Sequence, residues 1–292
     1  MVRYFYRRFK EEQTSVDISA ILDKQREYFS SGETRNPNFR LGKLDRLKRA
    51  IEENEGDILR ALQKDLNKAP FEAYETELGI VLDELRYIRK RLLPWIKPIR
   101  VRTPLVHFPS SSFRIPEPYG IVLIMSPWNY PFQLTLAPLI GAIAAGNCSI
   151  IKPSNYSPAT SQLISRIIRE NFEDRYIAVL EGGREVNQTL LNHRFDKIFF
   201  TGSTAVGRVV MESAARFLTP VTLELGGKSP CIVHRDCDIG LAARRIAWGK
   251  LLNAGQTCVA PDYLLVHGTI RHSLIKAIKG YIIKFYGEDP IS

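Results

Sequence analysis

The chain has little cysteine, no long apolar run and no repeat. Only four cysteines occur in 292 residues: Cys148, Cys231, Cys237 and Cys258. None forms a CxxC pair, and their spacings match no zinc pattern. Cys231 and His234 stand three apart, but nothing nearby completes a ligand set, so a metal site is not expected. Scattered single cysteines argue against a disulfide framework and for reduced thiols in a cytoplasmic chain. No apolar stretch approaches the length that spans a bilayer. The N-terminal segment MVRYFYRRFKEEQ is basic but has no apolar core behind it, so neither secretion nor membrane association is expected. There is no low-complexity tract and no GxGxxG. LELGGKS resembles the tail of a nucleoside-triphosphate loop, but the glycine required at position 222 is Thr222, which excludes that reading.

What is present is the balance of a globular protein, with 45% hydrophobic and 25% charged residues. The net charge of +10 raises nucleic acid or an anionic surface as partners. The basic residues, however, alternate with acidic ones along GKLDRLKRAIEENEGDILRALQKDLNK, the pattern of a solvated helix face. RYIRKRLLPWIKPIRVR (86–102) is the densest basic stretch and is expected to be solvated or to face an oligomer partner. Nucleic-acid binding is not expected.

Residues 17–97 carry apolar residues at three- and four-residue steps (Ile51, Ile58, Leu59, Leu62; Leu78, Val81, Leu82, Leu85), which predicts helices closed by Pro94 and Pro98. Residues 99–117, with proline and a serine run, suit an exposed hairpin or arm. From Tyr119 the texture changes. GIVLIMSP, NCSIIKP, YIAVLEG, DKIFFTG and TPVTLELGG read as strands, separated by helical stretches at 134–145, SPATSQLISRIIREN, EVNQTLLNH and STAVGRVVMESAARF. This alternation predicts an α/β fold, a doubly wound parallel sheet with helices on both faces. A new unit begins after Gly227, with a strand at YLLVHG and a helix from Arg271. The expected division is a helical N-terminal part (1–98), an arm (99–117), a dinucleotide-binding domain completed at 118–228, and a thin second α/β unit (229–292).

Ligands of parallel sheets sit at the carboxyl ends of the strands. Asn129, Lys152, Gly202 and Glu224 all fall at such ends. Asn129 lies between prolines in PWNYP: a stiffened amide donor for an oxyanion, or a turn asparagine. Lys152 can hold ribose or phosphate by charge, or be a surface lysine. FTGSTAVG offers backbone N–H groups and a helix start to phosphate, or a tight turn capped by Ser203 or Thr204. Glu224 ends an apolar strand, a setting that would disfavour its charge and suit a general base, unless a lysine pairs with it. Cys258, in NAGQTCVAPDY, has small neighbours that leave room for a substrate. It is either an activated nucleophile or a space-filling core thiol.

Taken together and in order, PWNYPFQLTLAPLIGAIAAGN, IIKPS, FTGSTAVG, TLELGGKSP and NAGQTCVAPDY closely resemble the aldehyde dehydrogenase superfamily, in particular its class 3 and fatty-aldehyde members. The similarity runs from about residue 18 to the end of the chain. The resemblance implies NAD- or NADP-dependent oxidation of an aldehyde to a carboxylic acid. It makes Cys258 the nucleophile, Asn129 the oxyanion donor and Glu224 the base that activates water. It makes Lys152 the adenosine-ribose contact and Gly202, Ser203, Thr204, Ala205, Val206 and Gly207 the pyrophosphate turn. Leu225 and Gly226 would lie near the nicotinamide. The separation of 34 positions from Glu224 to Cys258 matches the family's spacing. It also implies that 99–117 is an oligomerisation arm, that the full-length protein is a homodimer, and that the substrate is a medium- or long-chain aliphatic or an aromatic aldehyde.

Two departures accompany the resemblance. Asn155 stands where the family commonly has a glutamate after KPS, which removes repulsion toward a 2′-phosphate and predicts tolerance of NADP⁺. Family members also continue well past residue 292, so the second unit is expected to be incomplete. The alternative expectation is a truncated, non-catalytic remnant that binds dinucleotide or a full-length paralogue.

Overall fold

The computed structural model describes residues 17–289. The basic N-terminal segment and the last three residues of GEDPIS lie outside the described residues. The chain divides into two compact units. The first comprises the residues up to Phe200 and Val209–Thr222; the second comprises Thr201–Arg208 and everything from Leu223 onward.

In the first unit the helices form where caps and apolar spacing agree. Helix α1 (Ile18–Ser30) is capped by Asp17, whose carboxylate accepts from the Ala20 N–H at 3.1 Å. Helix α2 (Pro37–Glu53) starts with Asn36 as cap and proline at its first position. Helix α3 (Glu55–Leu66) ends at Asn67 in the left-handed conformation. Helix α4 (Pro70–Ala73) runs into a π-helical turn, Tyr74–Leu78, and then α5 (Gly79–Trp95). Of the predicted apolar stripe, Ile51, Ile58, Leu62, Leu78, Val81, Leu82 and Leu85 are all in the core, while Leu59 is only half-buried.

Strands β1 (Ile99–Val101) and β2 (Ser112–Arg114) pair antiparallel, with Leu105, Val106 and Phe108 exposed on the turn between them. Next come β3 (Ile121–Met125), α6 (Gln133–Ala145), β4 (Cys148–Lys152), α7 (Pro158–Asn171), β5 (Ile177–Val179), α8 (Arg184–Leu191), β6 (Lys197–Gly202), α9 (Thr204–Ala215) and β7 (Val221–Leu225). These strands form one sheet in the order β5-β4-β3-β6-β7. Every residue of β3, β4 and β5 is buried, as expected of parallel strands covered on both faces. The pairs β3–β4, β3–β6 and β4–β5 are parallel. The chain builds outward from β3 to β5 and then returns to lay β6 on the other side of β3. That reversal is the topological switch point at which such sheets open a crevice.

In the second unit, β8 (Ser229–Val233) and β9 (Pro261–Val266) are parallel and joined by α10 (Ile239–Leu251); α11 (Arg271–Tyr286) follows. Asp238 caps α10 through the Leu241 N–H at 2.9 Å. Its core is small: Val233, Ala243, Ile246 and Leu274, with Cys231, Leu264 and Ile278 packed against it. Ile232, Trp248, Leu265 and Ile283 remain exposed. Among the described residues no helix is long and apolar enough to cross a membrane.

Candidate active site

The first unit carries two of the expected site residues at adjacent strand ends. Met125 and Lys152 are register partners at the ends of β3 and β4, and the Ser126 N–H donates to the Lys152 carbonyl at 3.1 Å. The chain therefore leaves β3 beside Lys152 and turns through Trp128, Asn129 and Tyr130 into α6. Asn129 is half-buried. Lys152 is not the surface lysine that its residue type alone would suggest. It is only 3% exposed, its ammonium donates to the Pro153 carbonyl at 2.8 Å, and burial pulls its pKa down to about 8. The Ser126 hydroxyl, just past β3, is buried without a hydrogen-bond partner; in the second unit the same holds for the Thr201 hydroxyl in β6. Orphaned donors of this kind at strand ends suit a polar ligand.

The turn before α6 is held from below by an element that the sequence reading missed. Lys68 and Glu77 form an ion pair at 2.5 Å with both side chains essentially inaccessible. The other Glu77 carboxylate oxygen accepts from the Phe132 N–H at 2.9 Å and the Gln133 N–H at 3.3 Å, at the start of α6. The Lys68 ammonium lies over the Tyr130 ring, 4.6 Å from its centroid. Burial pushes the Glu77 carboxyl above its usual range, and Lys68 and the two amide donors oppose that shift. The only sequence sign was an acid and a base, nine residues apart, inside an apolar helical stretch.

The second unit carries the rest. Gly202 ends β6, and Ser203 caps α9: its hydroxyl accepts from the Val206 N–H at 3.3 Å and its carbonyl from the Gly207 N–H at 2.9 Å. The helix-cap role is thus filled, while Ser203, Thr204, Ala205 and Val206 stay exposed and Gly207 is buried. Glu224 and Leu225 close β7, and Gly226 follows in an open loop. The apolar setting expected around Glu224 is not found. Its side chain is exposed, although Leu223 and Leu225 flank it in sequence.

Cys258 is exposed on a turn closed by the Ala260 N–H donating to the Thr257 carbonyl at 3.1 Å. The space-filling alternative is therefore excluded. The loop after β7 comes close: a side chain on Gly227 would stand 3.1 Å from the Cys258 carbonyl. Just upstream the backbone turns left-handed at three successive residues, Asn253 (φ 53°), Ala254 (φ 53°) and Gly255 (φ 78°). Asn253 is 4% exposed and, with Gln256, exchanges side-chain-to-backbone hydrogen bonds across this bend. Two non-glycine residues in that region are a local cost that clusters at functional sites.

The model of the aldehyde dehydrogenase family matches residues 9–291. The chain belongs to the aldehyde dehydrogenase family. Over 262 residues it is 50% identical to the 4,4′-diaponeurosporen-aldehyde dehydrogenase of Staphylococcus aureus, covering 90% of this chain and 57% of that protein. It is 46% identical over 274 residues to the dimeric NADP-preferring aldehyde dehydrogenase of Canis lupus familiaris, covering 93% and 60%. The structure described as the substrate-bound state of Staphylococcus aureus AldH superposes with a TM-score of 0.92 at 48% identity, covering 94% of this chain and 60% of that one. The chain thus spans about half the length of the curated relatives it matches. The aldehyde dehydrogenase fold agrees with the α/β architecture expected from the strand–helix alternation.

Proposed function

We propose that this aldehyde dehydrogenase chain oxidises an aldehyde to a carboxylic acid with NAD⁺ or NADP⁺, with Cys258 as nucleophile. The observation that carries the reading is the presentation of Cys258: an exposed thiol on a turn, after a left-handed bend, in a chain of this family.

The donor set fits a dinucleotide. The buried Lys152 ammonium, the orphaned Ser126 and Thr201 hydroxyls and the exposed first turn of α9 suit ribose and phosphate oxygens. In this reading Lys152 holds the adenosine ribose, Gly202 to Gly207 with Ser203 hold the pyrophosphate, and Leu225 and Gly226 flank the nicotinamide. When bound, the dinucleotide supplies the oxidised ring that accepts a hydride.

The Cys258 thiolate bonds to the carbonyl carbon, and the carbonyl π pair moves to oxygen. Asn129 donates its side-chain N–H to that oxyanion. Loss of the former aldehyde hydrogen as hydride leaves an acyl group on Cys258 as a thioester. Glu224 takes a proton from water, the water oxygen bonds to the acyl carbon, and the C–S bond breaks to release the acid and restore the thiolate.

Medium- or long-chain aliphatic and aromatic aldehydes are the proposed substrates; the S. aureus relative is named for an aldehyde of its own. The exposed apolar β1–β2 turn and the word "dimeric" in the dog relative's name support a homodimer. Four free thiols support a cytoplasmic location. The test is reduced-cofactor fluorescence with a medium-chain aliphatic aldehyde and either dinucleotide, beside Cys258→Ala. Turnover lost by more than a thousandfold in the variant is expected; folded wild-type protein no faster than Cys258→Ala would overturn the reading for this chain.

A further inference from the structure

We propose that the buried Lys68–Glu77 pair is a positioning device for Asn129, fixing the turn that carries the oxyanion donor through the residues that follow it. The proposal rests on the reading of Asn129 as that donor.

Two contacts of the pair point to this role, both on residues that follow Asn129 into α6. Tyr130, its immediate neighbour and 7% exposed, packs its ring against the Lys68 ammonium at 4.6 Å. Three and four residues after Asn129, the Glu77 carboxyl accepts both the Phe132 and Gln133 N–H groups and so caps α6. Lys68 and Glu77 are joined at 2.5 Å, so both restraints belong to one rigid pair. A buried charge pair is a poor way to gain stability, since apolar residues of similar size do as well. Its use is geometric: it tolerates one arrangement of donors and acceptors, and here that arrangement ends at the turn carrying Asn129.

The backbone is shaped for the same purpose. Glu77 lies in the π-helical turn Tyr74–Leu78, a widened register frequent at functional sites. Gly79 permits it, because a side chain there would stand 2.9 Å from the Tyr74 carbonyl oxygen. The π-turn also exposes the Tyr74 ring and buries Thr76, Glu77 and Leu78, so its inward face is the one that meets α6.

The test uses the whole chain in four variants: Asn129→Ala, Glu77→Gln, these two combined, and the apolar pair Lys68→Met with Glu77→Leu, which keeps a foldable core if Glu77→Gln does not fold. Protein labelled with ¹⁵N-asparagine gives a side-chain NH₂ signal for Asn129, assigned by its loss in Asn129→Ala. The proposal expects this signal to shift or broaden in the folded Glu77 variants, while the Asn253 signal stays in place. In turnover it expects kcat to fall about tenfold with the dinucleotide Kd unchanged. It also expects Asn129→Ala combined with Glu77→Gln to be no slower than Asn129→Ala alone, the sign of two residues acting through one donor. An unmoved Asn129 signal in the folded variants overturns the proposal, as does full additivity of the two kcat losses. If Asn129→Ala turns over at the wild-type rate, the oxyanion reading fails. The NMR signal then still decides whether the pair fixes the turn.

Discussion

The two units hold their functional groups by different means. In the first, burial and a side chain distant in sequence do the holding: Glu77 reaches the start of α6, fifty-five residues on, and Lys152, at the end of β4, is 3% exposed. In the second, the backbone does it: Cys258 is exposed, and the left-handed residues Asn253 to Gly255 and the close approach of Gly227 set its turn. A ligand held for its charge and shape benefits from a dry, rigid frame, because fixed charges act more strongly there. A nucleophile must be reachable, so it cannot be enclosed in the same way.

The sharpest way to break this comparison is thiol labelling of the folded chain. Cys148 is fully buried in β4, and burial pushes its thiol up to about 12. Cys258 is exposed. A thiol-specific reagent is expected to modify Cys258 at least ~1,000-fold faster than Cys148, since burial both suppresses the Cys148 thiolate and bars access to it. Mass-spectrometric mapping over time reads the ratio. Comparable rates without denaturant would mean that the first unit opens readily, and the contrast of rigid frame and open turn would be lost.

Lys152 gives the next largest effect. With its pKa at about 8 in the fold and 10.5 as the ordinary value, the charged form is disfavoured by folding. Below pH 8 both folded and unfolded lysines are protonated, and the burial cost is fully present. Between about 8 and 10.5 the unfolded chain binds more protons, so stability rises with pH. Lys152→Met, which keeps the stem, should therefore be more stable than wild type at pH 7, by at most about 3 kcal/mol. The advantage should shrink by pH 10, while dinucleotide affinity falls in the variant at both. Urea unfolding at the two pH values measures it. An advantage that does not change with pH would place the lysine's cost elsewhere.

Much of this frame could be read from residue order. The alternation of short β-rich runs with helical stretches located every strand of the main sheet, because parallel strands buried on both faces leave continuous apolar runs such as IVLIM and CSIIK. The strand-end positions of Asn129, Lys152, Gly202 and Glu224 followed from the same pattern. Three things did not. The Lys68–Glu77 pair joins an interhelical loop and a π-turn to α6, and no local period encodes such a contact. The left-handed Asn253 and Ala254 break the expectation that such backbone belongs to glycine. The exposure of Glu224 depends on what packs over its face of β7, which its apolar sequence neighbours Leu223 and Leu225 do not encode.

The same substitution in both units should have opposite signs. Gly255 has φ 78°, and an added side chain would stand 3.0 Å from the Lys250 carbonyl. Gly255→Ala is expected to cost about 1–2 kcal/mol and to slow turnover by disturbing the Cys258 turn. Gly42, in the exposed interior of α2, would meet nothing within 4 Å. Gly42→Ala should stabilise by about 0.5–1 kcal/mol. Denaturant midpoints of the pair read this difference. Two changes of the same sign would show that backbone conformation is not what distinguishes the Cys258 turn.

The smallest effect concerns the choice of dinucleotide. Asn155 is exposed, three residues past Lys152, with its amide near Gly183 at the start of α8: a side chain added at that glycine would come within 3.8 Å of the amide nitrogen. A neutral amide leaves room for a 2′-phosphate, whereas a carboxylate there would repel it. Asn155→Glu should therefore weaken NADP⁺ binding about tenfold, roughly 1.4 kcal/mol, and leave NAD⁺ within about twofold. Parallel titrations of wild type and variant by cofactor quenching make the comparison, at low salt because an exposed charge is screened. Equal weakening of both dinucleotides would assign Asn155 a general packing role at the adenosine end. An unchanged NADP⁺ affinity would move discrimination to the buried end of β4, where Lys152 supplies the positive charge.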